Sequence, residues 1–184
     1  MSFDWSDYHP HDRAVLCFLR ERNRKQVLLI EKKRGLGAGK INAPGGKLEK
    51  NETTLEAAIR ETTEEVGLVP DKLIGHGVLR FAFTDGYNLE VSIFSGTDWS
   101  GTMIETDEAV PFWVNENEIP FEQMWEDDAH WLPYILDGHN VNAEMVFSGD
   151  KMVQWNIRFS HGVRLSGQST LSHHRARTKH KSLS

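Results

Sequence analysis

The sequence predicts a mixed α+β sandwich, a β-sheet held between helices. Three observations predict it. Apolar runs of strand length come in pairs around turn residues, two segments carry the 3.6-residue spacing of helices, and strands outnumber helices with no internal repeat. The chain has 184 residues, 39% of them hydrophobic, which is enough for one folded unit with its own core.

The elements follow in order. Residues 14–32, "AVLCFLRERNRKQVLLIEK", read as two apolar strands around a charged turn. Residues 34–48, "RGLGAGKINAPGGKL", form a glycine-rich loop leading into an acidic segment. A second hairpin spans 77–96, with its turn near "TDGYN". Residues 109–121 offer a short strand and a loop, and "DDAHWLPYILDG" (127–138) reads as a helix. A third hairpin covers 143–159, where Val153, Trp155 and Ile157 alternate with Gln154, Asn156 and Arg158.

The acidic segment, 45–68, is the most informative. Leu55, Ala58, Ile59, Thr62 and Val66 keep helical spacing and predict one buried stripe. Thr53 and Glu56 have capping-box spacing, and Gly67 with Pro70 beyond it makes a stop. The predicted helix therefore runs about 13 residues from Thr53, and it sets Glu61, Glu64 and Glu65 on one face. Such like charges repel by about 0.2–0.5 kcal/mol per pair, so the cluster needs a positive partner. Arg60 can brace one carboxylate, and Gly45 and Gly46 allow backbone to come close to the others. Clustered carboxylate oxygens suit a hard divalent cation, Mg²⁺ or Mn²⁺; a solvated acidic face is the plainer alternative.

Charge divides the chain. The segment after Phe159 holds five Lys and Arg and no acidic residue, against −6 for the whole chain, which leaves −11 on residues 1–159. Residues 1–160 are therefore read as the folded domain, and 161–184 as a basic, Ser/His-rich tail without fixed structure. Loose nucleic-acid binding is the tail's alternative role, but no nucleic-acid partner is required. No apolar run approaches a membrane span, and "MSFDWSDYHPHDR" lacks the pattern of a secretory signal. The single cysteine, Cys17, lies in an apolar run and reads as core in a reducing, cytoplasmic setting.

Residues 46–68 resemble the Nudix box without a gap. Gly46 is followed after five residues by Glu52, after seven more by Arg60-Glu61-Thr62, then by Glu64-Glu65 and Gly67-Leu68. The resemblance implies the Nudix fold and hydrolysis of a nucleoside diphosphate linked to another group. It implies that Glu61, Glu64 and Glu65 hold the metal, with the Gly45 carbonyl. Metal ions would bridge these carboxylates to phosphates that they otherwise repel. Lys32 and Lys47 flank the glycine loop and are candidates to neutralise phosphate oxygens. The general base falls to Glu65 by position, with Glu108 as the alternative.

Outside the box, residues 32–47, 101–114 and 119–136 resemble the mammalian-type MutT homologue branch, which acts on oxidised purine nucleoside triphosphates. Carried over by position, Glu108 adds a metal contact, Asn42, Asp127 and Asp128 read the purine edge, and Trp125 stacks on it. Phe81 and Phe83 wall the pocket, and Pro44 lies with Gly45 and Gly46 in its loop. Two adjacent carboxyls resist double ionisation, so one can keep a proton and donate. Asp127 or Asp128 capping a helix, and Trp125 as ordinary packing, are the bland readings. The chain departs from the branch at Leu36, Ile41, Ala43-Pro44 and Glu126, which leaves the choice of oxidised purine open. The expected protein is a monomeric 8-oxo-dGTP diphosphatase-like enzyme. A Nudix hydrolase of RNA 5′ ends or nucleotide sugars, or a ligand-binding regulator, are its rivals.

Overall fold

The computed structural model describes residues 3–169. The first hairpin joins β1 (Asp12–Glu21) to β2 (Gln26–Lys32). Two short strands, β3 (Ile41–Asn42) and β4 (Gly45–Lys47), lie inside the segment expected to be only loop. Then come α1 (Thr54–Val66), β5 (Leu68–Asp71), β6 (Ile74–Phe83), β7 (Asn88–Gly96), β8 (Asp98–Gly101) and β9 (Ala109–Asn115). The chain continues through α2 (Asp128–Leu136), β10 (Val141–Ser148), β11 (Lys151–Phe159) and β12 (Arg164–Gln168).

The main sheet runs β12-β11-β10-β6-β7-β1-β2-β3, with β4 also on β1 and β9 on β2. It is mixed: β1 with β7 and β6 with β10 are parallel pairs, and the other pairs are antiparallel. β5 and β8 make a separate two-stranded ribbon. β1 and β2 are apolar at most positions because both their faces are covered. Val15, Cys17, Leu19, Leu28 and Ile30 pack with Ala57, Ala58 and Val66 of α1. Phe18, Val27 and Leu29 pack with Trp131, Leu132 and Ile135 of α2. This alternation is what makes the fold a sheet between two helices.

α1 begins and ends as its sequence predicts. Thr53 and Glu56 form the capping box, and Gly67 closes the helix at φ 75. The predicted buried stripe is rotated, however. Leu55 is 44% exposed, and Ala57, Ala58, Thr62, Glu65 and Val66 are the buried residues. The two alanines let the helix lie close on the sheet, and that contact carries Glu65 inward with them.

The glycine pair has a steric reason. A Cβ on Gly45 would stand 2.0 Å from the Val15 carbonyl oxygen, across the β1–β4 ladder. A Cβ on Gly46 would stand 2.5 Å from the Glu61 carboxylate.

The domain boundary expected at 160 is corrected in part. Arg164–Gln168 is the edge strand β12, antiparallel to β11, with Leu165 opposite Ile157. Gly167 lets the Trp155 ring lie on the strand, since a Cβ there would be 2.2 Å from it. Residues 170–184 of the basic tail lie outside the described residues. Among the described residues, no helix is long and apolar enough to cross a membrane.

Candidate active site

A cavity of about 310 Å³ opens on the sheet beside α1 and α2. That is the size of a small-ligand site. Its floor is apolar: Leu79, Phe81 and Phe83 of β6, Leu89 and Val91 of β7, and Phe147 of β10. Period-2 alternation puts Leu79 and Phe83 on the face of Phe81, so this part was readable from the hairpin. Leu89 and Phe147 come from strand pairing, which the sequence leaves open.

The first polar group on the wall is acidic. Glu61, Glu65 and Glu108 line the cavity with Lys32, Gly45 and Gly46. Glu65 is 2% exposed, and one of its oxygens accepts the Gly45 N–H at 2.9 Å. Burial raises its pKa to about 7; Gly45 and Lys32 oppose the shift, and Glu61 and Glu108 add to it. The Glu61 pKa is raised too, mainly by burial and against the pull of Arg60.

Arg60 is the brace for this cluster. Its guanidinium reaches Glu52 at 2.7 and 2.8 Å, Glu61 at 2.8 Å and Glu64 at 3.1 Å. It also donates to the Lys47 carbonyl, tying α1 to β4. The Glu64 side chain is 59% exposed and lies outside the cavity wall.

Among the described residues, no three His, Cys, Asp or Glu side chains gather as a metal-ligating group. Separate partners draw the carboxylates apart. Arg60 draws Glu61 and Glu64, Arg34 pairs with Glu108, and the Gly45 amide takes Glu65. The donor chemistry still fits a hard divalent ion: Glu61 and Glu65 are carboxylates withdrawn from water on one wall, Glu61 raises the pKa of Glu65, and Glu108 raises both.

The second polar group stands at the start of α2. Asp127 and Asp128 are 2% and 3% exposed. Asp127 Oδ2 accepts the Trp131 indole N–H at 2.8 Å, while its Oδ1 has no partner among the described residues. Asp128 Oδ2 accepts the Trp125 N–H at 3.2 Å. Asp127 occupies the N-cap position of α2 but makes no side-chain cap. Burial raises both pKa values, and the charge of Asp127 raises that of Asp128 further. Two neighbouring buried carboxyls resist double ionisation, so one can keep a proton. Trp125 and Asn42 complete the wall; Asn42 Oδ1 accepts the Ala43 N–H at 2.8 Å.

Two expected ligand contacts sit differently. Pro44 does not line the cavity; it is buried, and its carbonyl accepts the Cys17 N–H at 2.9 Å. Lys47 reaches the rim, but its ammonium donates to Asp12 at 2.7 Å, beside Tyr87, whose hydroxyl donates to the same oxygen. Tyr87 is a rim residue that the sequence reading missed, since only the β6–β7 turn brings it there.

Glu65 makes a prediction about stability. Its native pKa is raised, so between its ordinary value of 4.5 and about 7 the native state holds a proton that the unfolded chain has released. Its contribution is therefore present below about pH 4.5 and is lost as pH rises to about 7. Without added metal, Glu65→Gln is expected to match the wild type in Tm near pH 4.5 and to exceed it increasingly up to pH 8. Thermal melts of both proteins across that range check this; parallel curves would contradict it.

The comparisons agree with this geometry. A family model described as "NUDIX domain" matches residues 10–135. The chain is 41% identical over 129 residues to the oxidized purine nucleoside triphosphate hydrolase of Danio rerio, covering 70% of this chain and 83% of that protein. It is 38% identical over 136 residues to the Mus musculus protein of the same name, covering 73% and 87%. A crystal structure of a MutT protein from Bacillus halodurans superposes with a TM-score of 0.70 at 25% identity, covering 81% of this chain and 97% of that one. With the glycine–glutamate–arginine spacing of residues 46–68 and a helix on each face of a mixed sheet, these matches place the chain in the Nudix family.

Proposed function

We propose that this Nudix hydrolase cleaves oxidised purine nucleoside triphosphates to the monophosphate and pyrophosphate, keeping damaged bases out of new DNA. One observation carries the reading. A single cavity has a buried carboxyl pair on one part of its wall and the Glu61–Glu65 carboxylates on another. The names of the zebrafish and mouse relatives support the same substrate class.

The roles follow from the chemistry. Asp127 and Asp128, with one proton between them, offer both a donor and an acceptor to a purine edge, and Asn42 offers its NH₂. Trp125 and Phe81 take the flat faces of the base. Such stacking is worth about 1–3 kcal/mol per base. Lys32 neutralises phosphate oxygens, and Lys47 joins it only on leaving Asp12. Glu61, Glu64 and Glu65, with Glu108 and the Gly45 carbonyl, would hold Mg²⁺ or Mn²⁺. The ion supplies charge neutralisation and polarisation of phosphorus. Glu65, buried on the cavity wall and held by the Gly45 N–H, takes the proton of the attacking water. Arg60 holds Glu61 and Glu64 in place. The protein acts as a monomer in the cytoplasm.

A panel of substrate classes tests this reading: purine nucleoside triphosphates, ADP-ribose and RNA with a 5′ triphosphate or cap, with Mg²⁺ and with residues 170–184 present or deleted. The expected result is preference for the nucleoside triphosphates, independent of the deletion. Preference for RNA that falls with the deletion and with salt would replace the reading with an RNA-end hydrolase.

A further inference from the structure

The aromatic wall of the cavity is tied down by residues outside it. Trp125 meets Phe147 and Phe83 edge-on, at ring-centroid distances of 5.6 and 6.4 Å. On another side the glycine-rich loop passes so close that a Cβ on Gly37 would lie 2.9 Å from the indole nitrogen. Gly37 has φ +81, so the loop bends there as only glycine readily allows. Lys40, at the end of that loop, holds its ammonium 5.0 Å from the centre of the Trp125 ring.

Two ion pairs run from here to one hairpin end, the β10–β11 turn. Lys40 pairs with Asp150 at 3.0 Å. Glu126, next to Trp125 in the chain, pairs with Lys151 through one oxygen, and its other oxygen accepts the Met152 N–H at 2.8 Å. Three segments distant in sequence thus converge on one indole.

We propose that the β10–β11 turn is a two-armed brace for Trp125, and that Lys40 and Glu126 are positioning residues that set the purine slot. The inference rests on the reading of the cavity as a purine triphosphate site and adds to it which residues fix the stacking wall. Exposed ion pairs contribute little to folding, so removing them leaves the protein folded. They act instead on where the indole sits, and small displacements of a positioning group weaken binding and orientation strongly. Lys40 also gives the ring a cation–π contact that a neutral side chain lacks.

The test compares 8-oxo-dGTP with ribose 5-triphosphate, which keeps the phosphates and has no base. In Lys40→Met and Glu126→Gln, KM for 8-oxo-dGTP is expected to rise about three- to tenfold, with kcat within about twofold, and ribose 5-triphosphate kinetics unchanged. Lys40→Arg keeps the wild-type KM. Asp150→Asn added to Lys40→Met adds little, because both remove the same contact. Wild-type KM for 8-oxo-dGTP in both single variants would overturn the brace. A general loss on both substrates would overturn it too, since it would mark a structural role. A wild-type protein that treats the two substrates alike would instead overturn the purine reading, and the brace with it.

Discussion

Glu65→Gln is expected to lower kcat with Mg²⁺ by about 10²–10⁴-fold, the usual contribution of a positioned general base. The substitution keeps the shape of the side chain, and the amide oxygen can still accept the Gly45 N–H that now holds Glu65 at 2.9 Å. The fold should therefore survive, and the metal-free variant should melt no lower than the wild type at pH 8. Loss of turnover with retained stability separates a catalytic role from a structural one. Steady-state rates at saturating substrate check it. If Glu65→Gln keeps near wild-type kcat while Glu108→Gln loses it, the proton acceptor is Glu108. Glu108 is paired with Arg34 and its side chain is 41% exposed, which makes it the less prepared base.

The second large effect concerns the base. Asp128→Ala removes one group of the buried pair and leaves the substrate edge unmatched. One hydrogen bond to a charged or strongly polar partner is worth about 1.5–3 kcal/mol, so kcat/KM should fall about 10- to 150-fold. The loss should be largest for the oxidised purine and should narrow the preference over the unmodified one. Stability should move the other way in Asp128→Asn. Two neighbouring carboxyls buried to 2% and 3% exposure ionise at a cost that grows as pH rises, and an amide, which cannot ionise, avoids it. A less selective Asp128→Ala beside a more stable Asp128→Asn is the expected signature. Unchanged selectivity would mean that Asp127 and Asp128 serve packing, through their contacts with Trp131 and the Trp125 N–H.

The parts of the fold that were legible have strong local causes. The α1 capping box and Gly67 stop are written within a few residues, and three hairpins announce themselves by paired apolar runs. β3 and β4 are two and three residues long and exist only because β1 and β2 offer edges, so the loop hides them. β12 is hidden for another reason: its composition matches that of the basic tail, and only Trp155 and Ile157 across the ladder make it a strand. The site divides in the same way. Glu61, Glu65 and Gly46 follow from fixed spacing on and before one helix. The pairing of Lys47 with Asp12, of Arg34 with Glu108 and of Lys40 with Asp150 depends on strands that meet only in the folded chain. Leu55 shows the limit of periodicity: spacing gave a stripe, but close packing of Ala57 and Ala58 chose which side of it turned inward.

The central claim is that one cavity joins recognition of an oxidised purine to hydrolysis of its triphosphate. The most direct measurement is kcat/KM with Mg²⁺ for 8-oxo-dGTP and 2-hydroxy-dATP against dGTP and dATP. At least one oxidised nucleotide is expected to exceed its unmodified counterpart by tenfold or more, about 1.4 kcal/mol of discrimination. Equal or uniformly slow hydrolysis of all four would contradict it.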